Sequence, residues 1–379
     1  MFINFWYVAG MAHDFTEKPV KVRMLGQNFV VFRDTAGKAQ CLSNVCTHRG
    51  GSLAGGKVIG DTVACPYHGW QFNGAGQCVK IPSIGKDGKI PARTRIDAYP
   101  VEEKYGLIFV FLGDLPESER PPIQEIPEYG QDGWRATRQH RTRNVNFQRA
   151  IENGLDPAHN AFVHDTHITE TDSDEWAKVG ALDFRETPWG IGFWNKVLAP
   201  PLAEGRMREA SGRAEAAMIE VGTGHHAANA VWTYIHPTPR MFIRQYSWQT
   251  PIEEGVTAGY LVTMRNFLTT EEHDARIIER NFYVSNQDDA VLADVEPVLT
   301  PEDNTHENFT PSDAPLARYR EQMKAWQAKG WRIDTAKVVE NAGRVAYAIP
   351  SPQRRLHKGW ALDAIPLVDG GRTAQAAAE

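Results

Sequence analysis

Cys46-Thr47-His48 and Cys65-Pro66-Tyr67-His68 make two short hooks, C-x-H and C-x-x-H, with sixteen residues between them. Thiolate and imidazole are the ligand types of zinc and of iron–sulfur sites. Two such hooks on neighbouring loops grip a metal from both sides. Gly50, Gly51 and Gly69 beside them permit the tight turns and close backbone approach that these loops need. Structural zinc hooks more often read C-x2-4-C, so zinc stands as the alternative to an iron–sulfur centre. Cys41 and Cys78 read as buried free thiols.

A second set of donors follows. The stretch over 152–164, Glu-Asn-Gly-Leu-Asp-Pro-Ala-His-Asn-Ala-Phe-Val-His, holds Asp156, His159 and His164. Two histidines and one carboxylate on one face, with positions left open for oxygen, are the usual donors of non-heme Fe(II) that activates O2. The histidines are five apart, whereas i and i+4 share a helix face. A helix end or a π-bulge restores convergence, and Pro157 supplies a local irregularity. Taken alone, the stretch is equally a polar helix with solvated histidines.

Elements must hold these loops in place. FVVF (29–32) and LIFVFL (107–112) predict strands, separated by the turn signals DTAGK, NGAGQ and GKDGK. Residues 1–118 therefore predict an all-β domain. The Pro- and charge-rich segment 115–134 marks a boundary, and 119–379 predicts a second domain. There, 147–164 reads as a loop leading into helix. AVWTYIH, RMFIRQYSW and GYLVTM predict three strands, and 271–292 and 316–329 predict helices. Trp232 and Tyr234, and likewise Tyr246 and Trp248, are two apart on predicted strands, so each pair shares a sheet face. With Phe162 they are candidate pocket residues, against the plainer reading of core aromatics. His167, His225, His226 and His236 read as ordinary polar residues. Residues 370–379 predict a disordered tail. Net charge is −6 and the pI about 6.1, which disfavours nucleic acid and anionic membrane as partners. No apolar run approaches the ~20 residues of a membrane-spanning helix, and the N-terminus has no basic region or cleavage site. A cytoplasmic location is expected.

CTHRG followed by CPYHGW resembles the Rieske domain of the Rieske non-heme iron oxygenases, in which two histidines replace two cysteines on one iron of a [2Fe–2S] cluster. Gly51 and Tyr67 occupy the positions of the extra disulfide cysteines of respiratory Rieske proteins, which favours the oxygenase or ferredoxin type. The second stretch resembles the N-x-x-D-x-x-H-x4-5-H motif of the oxygenase catalytic domain, with Asn153 at the motif's asparagine. Asn4 to Ala9 resembles the start of many members in the branch that includes O-demethylating monooxygenases.

The resemblance implies cluster ligands Cys46, His48, Cys65 and His68, and a mononuclear Fe(II) held by His159 and His164. It implies that Asp156 is a hydrogen-bonding bridge from His159 to the cluster histidine His68 of a neighbouring subunit, in a homotrimer. Asn286-Gln287-Asp288-Asp289-Ala290-Val291-Leu292 resembles the family's carboxylate segment, with Asp288 as third ligand and Asp289 and Asp294 as rivals. The implied fold is α+β: an all-β Rieske domain followed by a helix-grip catalytic domain with an antiparallel sheet around a substrate tunnel. The chain lacks G-x-G-x-x-G in a βαβ setting and the plant-type ferredoxin spacing. A separate reductase or ferredoxin is therefore expected, and Arg49, Lys57 and Lys80 are candidates for its docking patch. The implied reaction uses O2 to hydroxylate or oxidatively demethylate a small aromatic or cyclic substrate. The alternatives are cis-dihydroxylation of an arene and, more remotely, a non-catalytic Rieske carrier or zinc-bearing binding module.

Overall fold

The computed structural model describes residues 1–164, 177–199, 201–202 and 205–370. The predicted tail beyond Gly370 and His167 lie outside the described residues.

The chain forms two compact units. One comprises Met1–Ile123, Thr250–Glu253 and Ala325–Glu379; the other comprises Gln124–Gln249 and Glu254–Lys324. Residues after 325 thus pack with the N-terminal residues, although they follow the proposed catalytic segment in sequence. Trp326 and Trp331 meet Phe5 edge-on at 4.7 and 5.7 Å. The fully buried Asp97 receives two 2.7 Å bonds from Arg354 and one from the Ser351 hydroxyl. A buried carboxylate persists only when paired this way.

The first unit is β-rich. Its N-terminal strands are β1 (Phe5–Met11), β2 (Val20–Met24), β3 (Gln27–Arg33), β4 (Ala39–Ser43), β5 (Lys57–Ile59), β6 (Thr62–Ala64), β7 (Gln71–Asn73), β8 (Cys78–Lys80), β9 (Ala98–Tyr99), β10 (Val101–Lys104) and β11 (Leu107–Leu112). They form sheets in the orders β1-β11-β10, β2-β3-β4-β9 and β5-β6-β7-β8. The continuous apolar runs of β1 and β11 are buried along their whole length, as such runs are in strands covered on both faces. Leu25-Gly26 and Tyr105-Gly106 both have positive φ at both positions, which gives two-residue hairpins whose twist matches the strands they join. Val30, Phe32, Leu42, Val63 and Phe72 share one core with Cys46, Cys65 and Cys78.

The second unit is built on a seven-stranded antiparallel sheet. Its strands are β12 (Arg135–Arg143), β13 (Asp183–Thr187), β14 (Gly190–Ala199), β15 (Ala217–His226), β16 (Ala230–Thr238), β17 (Met241–Glu253) and β18 (Val256–Arg265), in the order β12-β18-β17-β16-β15-β14-β13. The helices are α1 (Phe147–Leu155), α2 (Asn160–Val163), α3 (Arg206–Ser211), α4 (Asp274–Leu292), α5 (Ala314–Ala328) and α6 (Thr335–Glu340), of which α6 and the end of α5 belong to the first unit. The chain is therefore α+β, with an all-β beginning and a sheet gripping a long helix.

Side-chain alternation gives the large sheet two distinct faces. Odd-numbered residues of β12, β15, β17 and β18 face α1 and α4: Thr223 Oγ1 donates to the Gly154 carbonyl, and Gln139, Thr263 and Gln245 all bond Asn281. Even-numbered residues face the other way. There the Tyr246 hydroxyl donates to Glu128, and Arg138 meets Tyr129.

Candidate metal centres

The two cysteine–histidine loops share one backbone template. In each, the glycine four residues after the cysteine returns its N–H to the cysteine carbonyl: Gly50 to Cys46 at 2.9 Å, Gly69 to Cys65 at 3.0 Å. Each cysteine N–H then bonds the carbonyl five residues on, that of Gly51 or Trp70. Gly50 and Gly69 take φ of +72° and +71°, a conformation that suits glycine. Gly51 is required for a second reason, because a Cβ there would lie 2.9 Å from Cys65 Sγ.

The template buries both thiols and leaves both imidazoles exposed. His48 and His68 turn their Nδ1 atoms to within 3.1 Å of each other, and Trp70 stacks on His48 at 4.6 Å. Burial is the main influence pushing the Cys46 thiol up to about 12; the adjacent Cys65 and Cys78 add to it, against the pull of the His48 amide. A thiolate there needs a cation beside it, which bound iron supplies. No three of these four donors lie within 4.8 Å of one another. A single tetrahedral zinc needs all four closer than that. Two thiols at one end and two imidazoles at the other fit a longer two-iron body.

The second centre begins at α1. The stretch 147–164, expected to run from loop into helix, is helical from its first residue. The Asn146 side chain explains the difference, because it caps the first turn by accepting from the Gln148 and Arg149 amides. The helix ends at Asp156, ahead of Pro157. A single turn, α2, then sets His159 and His164 at its two ends. The irregular connection thus brings together two rings that an ideal helix would separate.

Asp288, on α4, completes the group. His159, His164 and Asp288 offer ligand atoms all within 4.8 Å of one another. Asp288 Oδ1 lies 3.6 Å from His159 Nε2 and 3.4 Å from His164 Nε2. The far nitrogens are held. His159 Nδ1 donates to the Asp156 carbonyl at 2.8 Å, and His164 Nδ1 meets Gln287 Oε1 at 3.1 Å. A bond at the far ring nitrogen fixes the tautomer and aims Nε2 at a metal. Burial is the leading influence holding His159 below the ordinary imidazole range, hence neutral and able to ligate. Asp288 Oδ1 is buried with no hydrogen-bond partner, which an occupying cation would resolve. The donor set fits mononuclear iron.

Other sequence candidates lie elsewhere. Asp289 is held by Arg141 at 2.7 Å and Arg143 at 3.0 Å, and Asp294 is exposed beyond the helix end. The Asp156 carboxylate accepts from the Ala158 amide and stands 3.8 Å from His159 Nδ1, so it is the main-chain oxygen that holds that ring. Asn153 lies in the last turn of α1, and its carbonyl accepts from the Asp156 amide. Phe162 is 73% exposed. Trp232, Tyr234, Tyr246 and Trp248 share one face, but it is the even face, opposite α1 and α4. Period-2 alternation identified a common face without saying which one. There Tyr234 and Tyr246 join hydroxyls at 3.0 Å, and Arg244 lies over the Tyr234 ring. Trp232 covers Gly192 and Gly224, where any Cβ would collide with it. His225 is buried and donates Nδ1–H to the Ala227 carbonyl, and His236 pairs with Glu220.

Sequence reasoning missed Gln287, the arginine pair Arg141 and Arg143, and a buried quartet behind α1. In the quartet Arg320 forks onto Glu152 at 2.6 and 2.8 Å and reaches Glu307, which also takes Arg149. The unbroken polar run 286–289 was the available signal: Asn286 and Asp289 share Arg141, Gln287 meets His164, and Asp288 faces the two histidines.

The two centres lie in segments that match known families. Residues 5–100 match the model of the Rieske [2Fe-2S] domain, and residues 143–329 match that of the vanillate O-demethylase oxygenase C-terminal domain. The chain belongs to the Rieske non-heme iron oxygenases. Among relatives, the oxygenase component of 3-ketosteroid-9-alpha-monooxygenase from Rhodococcus rhodochrous is 37% identical over 171 residues, 43% of this chain and 44% of that protein. The chain thus spans less than half the length of the curated relatives it matches. Among solved structures, NdmA of Pseudomonas putida CBB5 with caffeine superposes with a TM-score of 0.71 at 20% identity, over 86% of this chain and 91% of that one. Dicamba monooxygenase bound to 3,6-dichlorosalicylic acid gives 0.69 at 23% identity, over 85% and 96%. At such identity these two speak to the fold alone. As in the family, a Rieske [2Fe–2S] cluster and a mononuclear iron are the cofactors. Among the described residues, no helix is long and apolar enough to cross a membrane.

Proposed function

We propose that this chain is the terminal oxygenase component of a multicomponent system that hydroxylates or oxidatively demethylates a small cyclic or aromatic compound. The observation that carries this reading is the convergence of His159, His164 and an unpartnered Asp288 oxygen, in a chain that also bears the paired cysteine–histidine loops. A [2Fe–2S] cluster with a mononuclear iron supplies one-electron delivery and activation of O2 for insertion into a C–H bond. In this reading Cys46, His48, Cys65 and His68 hold the cluster, and His159, His164 and Asp288 the single iron. Asp156 orients His159 through its carbonyl and keeps its carboxylate for a partner's histidine. Asn153 keeps the end of α1 in place for it.

Exposed His48 and His68 suit electron exit to a neighbouring subunit, so the reading includes a homotrimer. Electrons come from a separate reductase or ferredoxin. The relatives' names, a ketosteroid monooxygenase and structures with caffeine and with 3,6-dichlorosalicylic acid, support the substrate class. The proposed functional division is 1–118 for the cluster domain and 119–379 for the catalytic chain.

The test begins with the purified protein handled without oxygen. Iron, acid-labile sulfide and the EPR spectrum of the reduced cluster are measured; a colourless zinc protein without sulfide defeats the proposal. A substrate panel with a surrogate reductase follows, with products read by mass. Gain of one oxygen or loss of a methyl equivalent is expected; gain of two oxygens and two hydrogens identifies a dihydroxylase instead.

A further inference from the structure

Asp289 is next to the candidate ligand Asp288 and points elsewhere. We propose that Asp289 is a guard carboxylate: it occupies Arg141 and Arg143 so that Asp288 stays free to hold the metal. The proposal rests on the mononuclear centre described above and treats Asp289 as a positioning residue.

Arg141 and Arg143 are two apart on β12 and share its α4-facing side. Arg141 Nη2 lies 2.7 Å from Asp289 Oδ2, and Arg143 Nη1 lies 3.0 Å from Oδ1. Their other bonds go to the Ser285 carbonyl, the Asn286 side chain and Gln249 Oε1. Arg143 Nε is buried without a partner, so the pair has donor capacity to spare. Asp288 is close enough for its charge to act on Arg141. Its Oδ1 is itself buried and unpartnered. A partly buried guanidinium takes any carboxylate in reach, two bonds at a time. Without Asp289 the acid next to it in the chain, Asp288, whose charge already acts on Arg141, is left to draw the two cations' free donors. Turning towards them withdraws its oxygen from the two Nε2 atoms.

A plain register role for Asp289 is redundant. The helix is already fixed to the sheet by Asn281, bonded to Gln139 and Thr263, and by Asp274, bonded to Arg135 and Arg265. The arginines need Asp289 more than the helix does.

The full chain, cluster-loaded and stripped of mononuclear metal by chelation, is titrated anaerobically with Fe(II). Asp289→Ala is expected to weaken Fe(II) binding by at least about tenfold while the cluster spectrum stays unchanged. The triple variant Arg141→Gln/Arg143→Gln/Asp289→Ala should recover to within about threefold of wild type, because nothing then competes for Asp288. Wild-type binding in Asp289→Ala overturns the proposal. A triple variant as weak as Asp289→Ala, or weaker, also overturns it and makes Asp289 a register residue. Should the triple variant lose its cluster or melt early, the crystal structure of metal-free Asp289→Ala decides. Asp288 bonded to Arg141 or Arg143 supports the guard, and Asp288 still facing the histidines refutes it. Asp288→Ala is the control. If it binds Fe(II) as tightly as wild type, the metal centre itself fails and the guard with it. If it loses Fe(II) while Asp289→Ala does not, the centre stands and only the guard is removed.

Discussion

Asp156 carries two separable jobs on two oxygens. Its carbonyl orients His159, and its carboxylate is the proposed contact to a partner's cluster histidine. Asp156→Asn keeps the first and weakens the second. Both metals should stay bound while substrate-dependent turnover falls by about 10–100-fold, the range for loss of an outer-shell partner; undiminished turnover refutes the bridge. Gly51→Ala places a methyl group 2.9 Å from Cys65 Sγ. Reduced acid-labile sulfide per chain is expected, with the mononuclear site still able to bind Fe(II). His225 supplies a pH signature. Burial lowers its pKa to about 4 in the folded protein. The unfolded chain protonates near pH 6.5, so it binds more protons between these values, and stability drops as pH falls from about 6.5 to 4, by up to about 3 kcal/mol. His225→Gln should flatten that part of the urea-midpoint profile against pH. At this scale the hooks were legible because donor type and spacing are written in the chain. Which oxygen of Asp156 meets His159 is not, since it depends on backbone angles at a helix end.

Elements place those residues, and here reading from sequence was uneven. The strands β16, β17 and β18 and the helix α4 announce themselves by alternation and by helical period. The cap at Asn146 went unread, and with it the nine-residue α1. The quartet behind α1 was invisible, because Glu152, Glu307 and Arg320 are distant in sequence and become partners only in the fold. Arg320→Leu should show its worth. It removes both forked bonds of the buried Glu152 carboxylate and leaves it only Arg149 at 3.7 Å, and removal of one member of a buried pair destabilises by about 3–5 kcal/mol. The shift should be seen as a lower urea midpoint, together with weaker Fe(II) retention because α1 leads into His159. An unchanged midpoint would show that the quartet is ornamental.

Charge is distributed unevenly over the whole molecule. Residues 44–95, which carry both cluster loops, hold seven basic residues against two acidic ones, a net of +5 in a chain of −6. If the proposed electron donor is acidic, this charge draws it to the cluster end, an effect that salt screens over about 10 Å at 0.1 M. Second-order rates of cluster reduction by an acidic ferredoxin, followed by stopped flow, should fall steeply with ionic strength, and Lys80→Glu should lower both rate and slope. A salt-independent rate would place the donor elsewhere. Chain order suggested a simple succession of two domains. The return of Trp326, Trp331 and Arg354 to the N-terminal unit was not legible, because nothing local distinguishes a tryptophan destined for one core from one destined for another.

The two-faced sheet bears on how such a catalyst can be retuned. Trp232, Tyr234, Tyr246 and Trp248 are the tempting targets of a mutagenesis library, yet they lie on the sheet face opposite α1 and α4. Variation there should alter folding yield more than product profile. Diversity aimed at new substrates belongs on the odd positions Thr233, Ile235 and Ile243, which share the sheet face turned to α1 and α4.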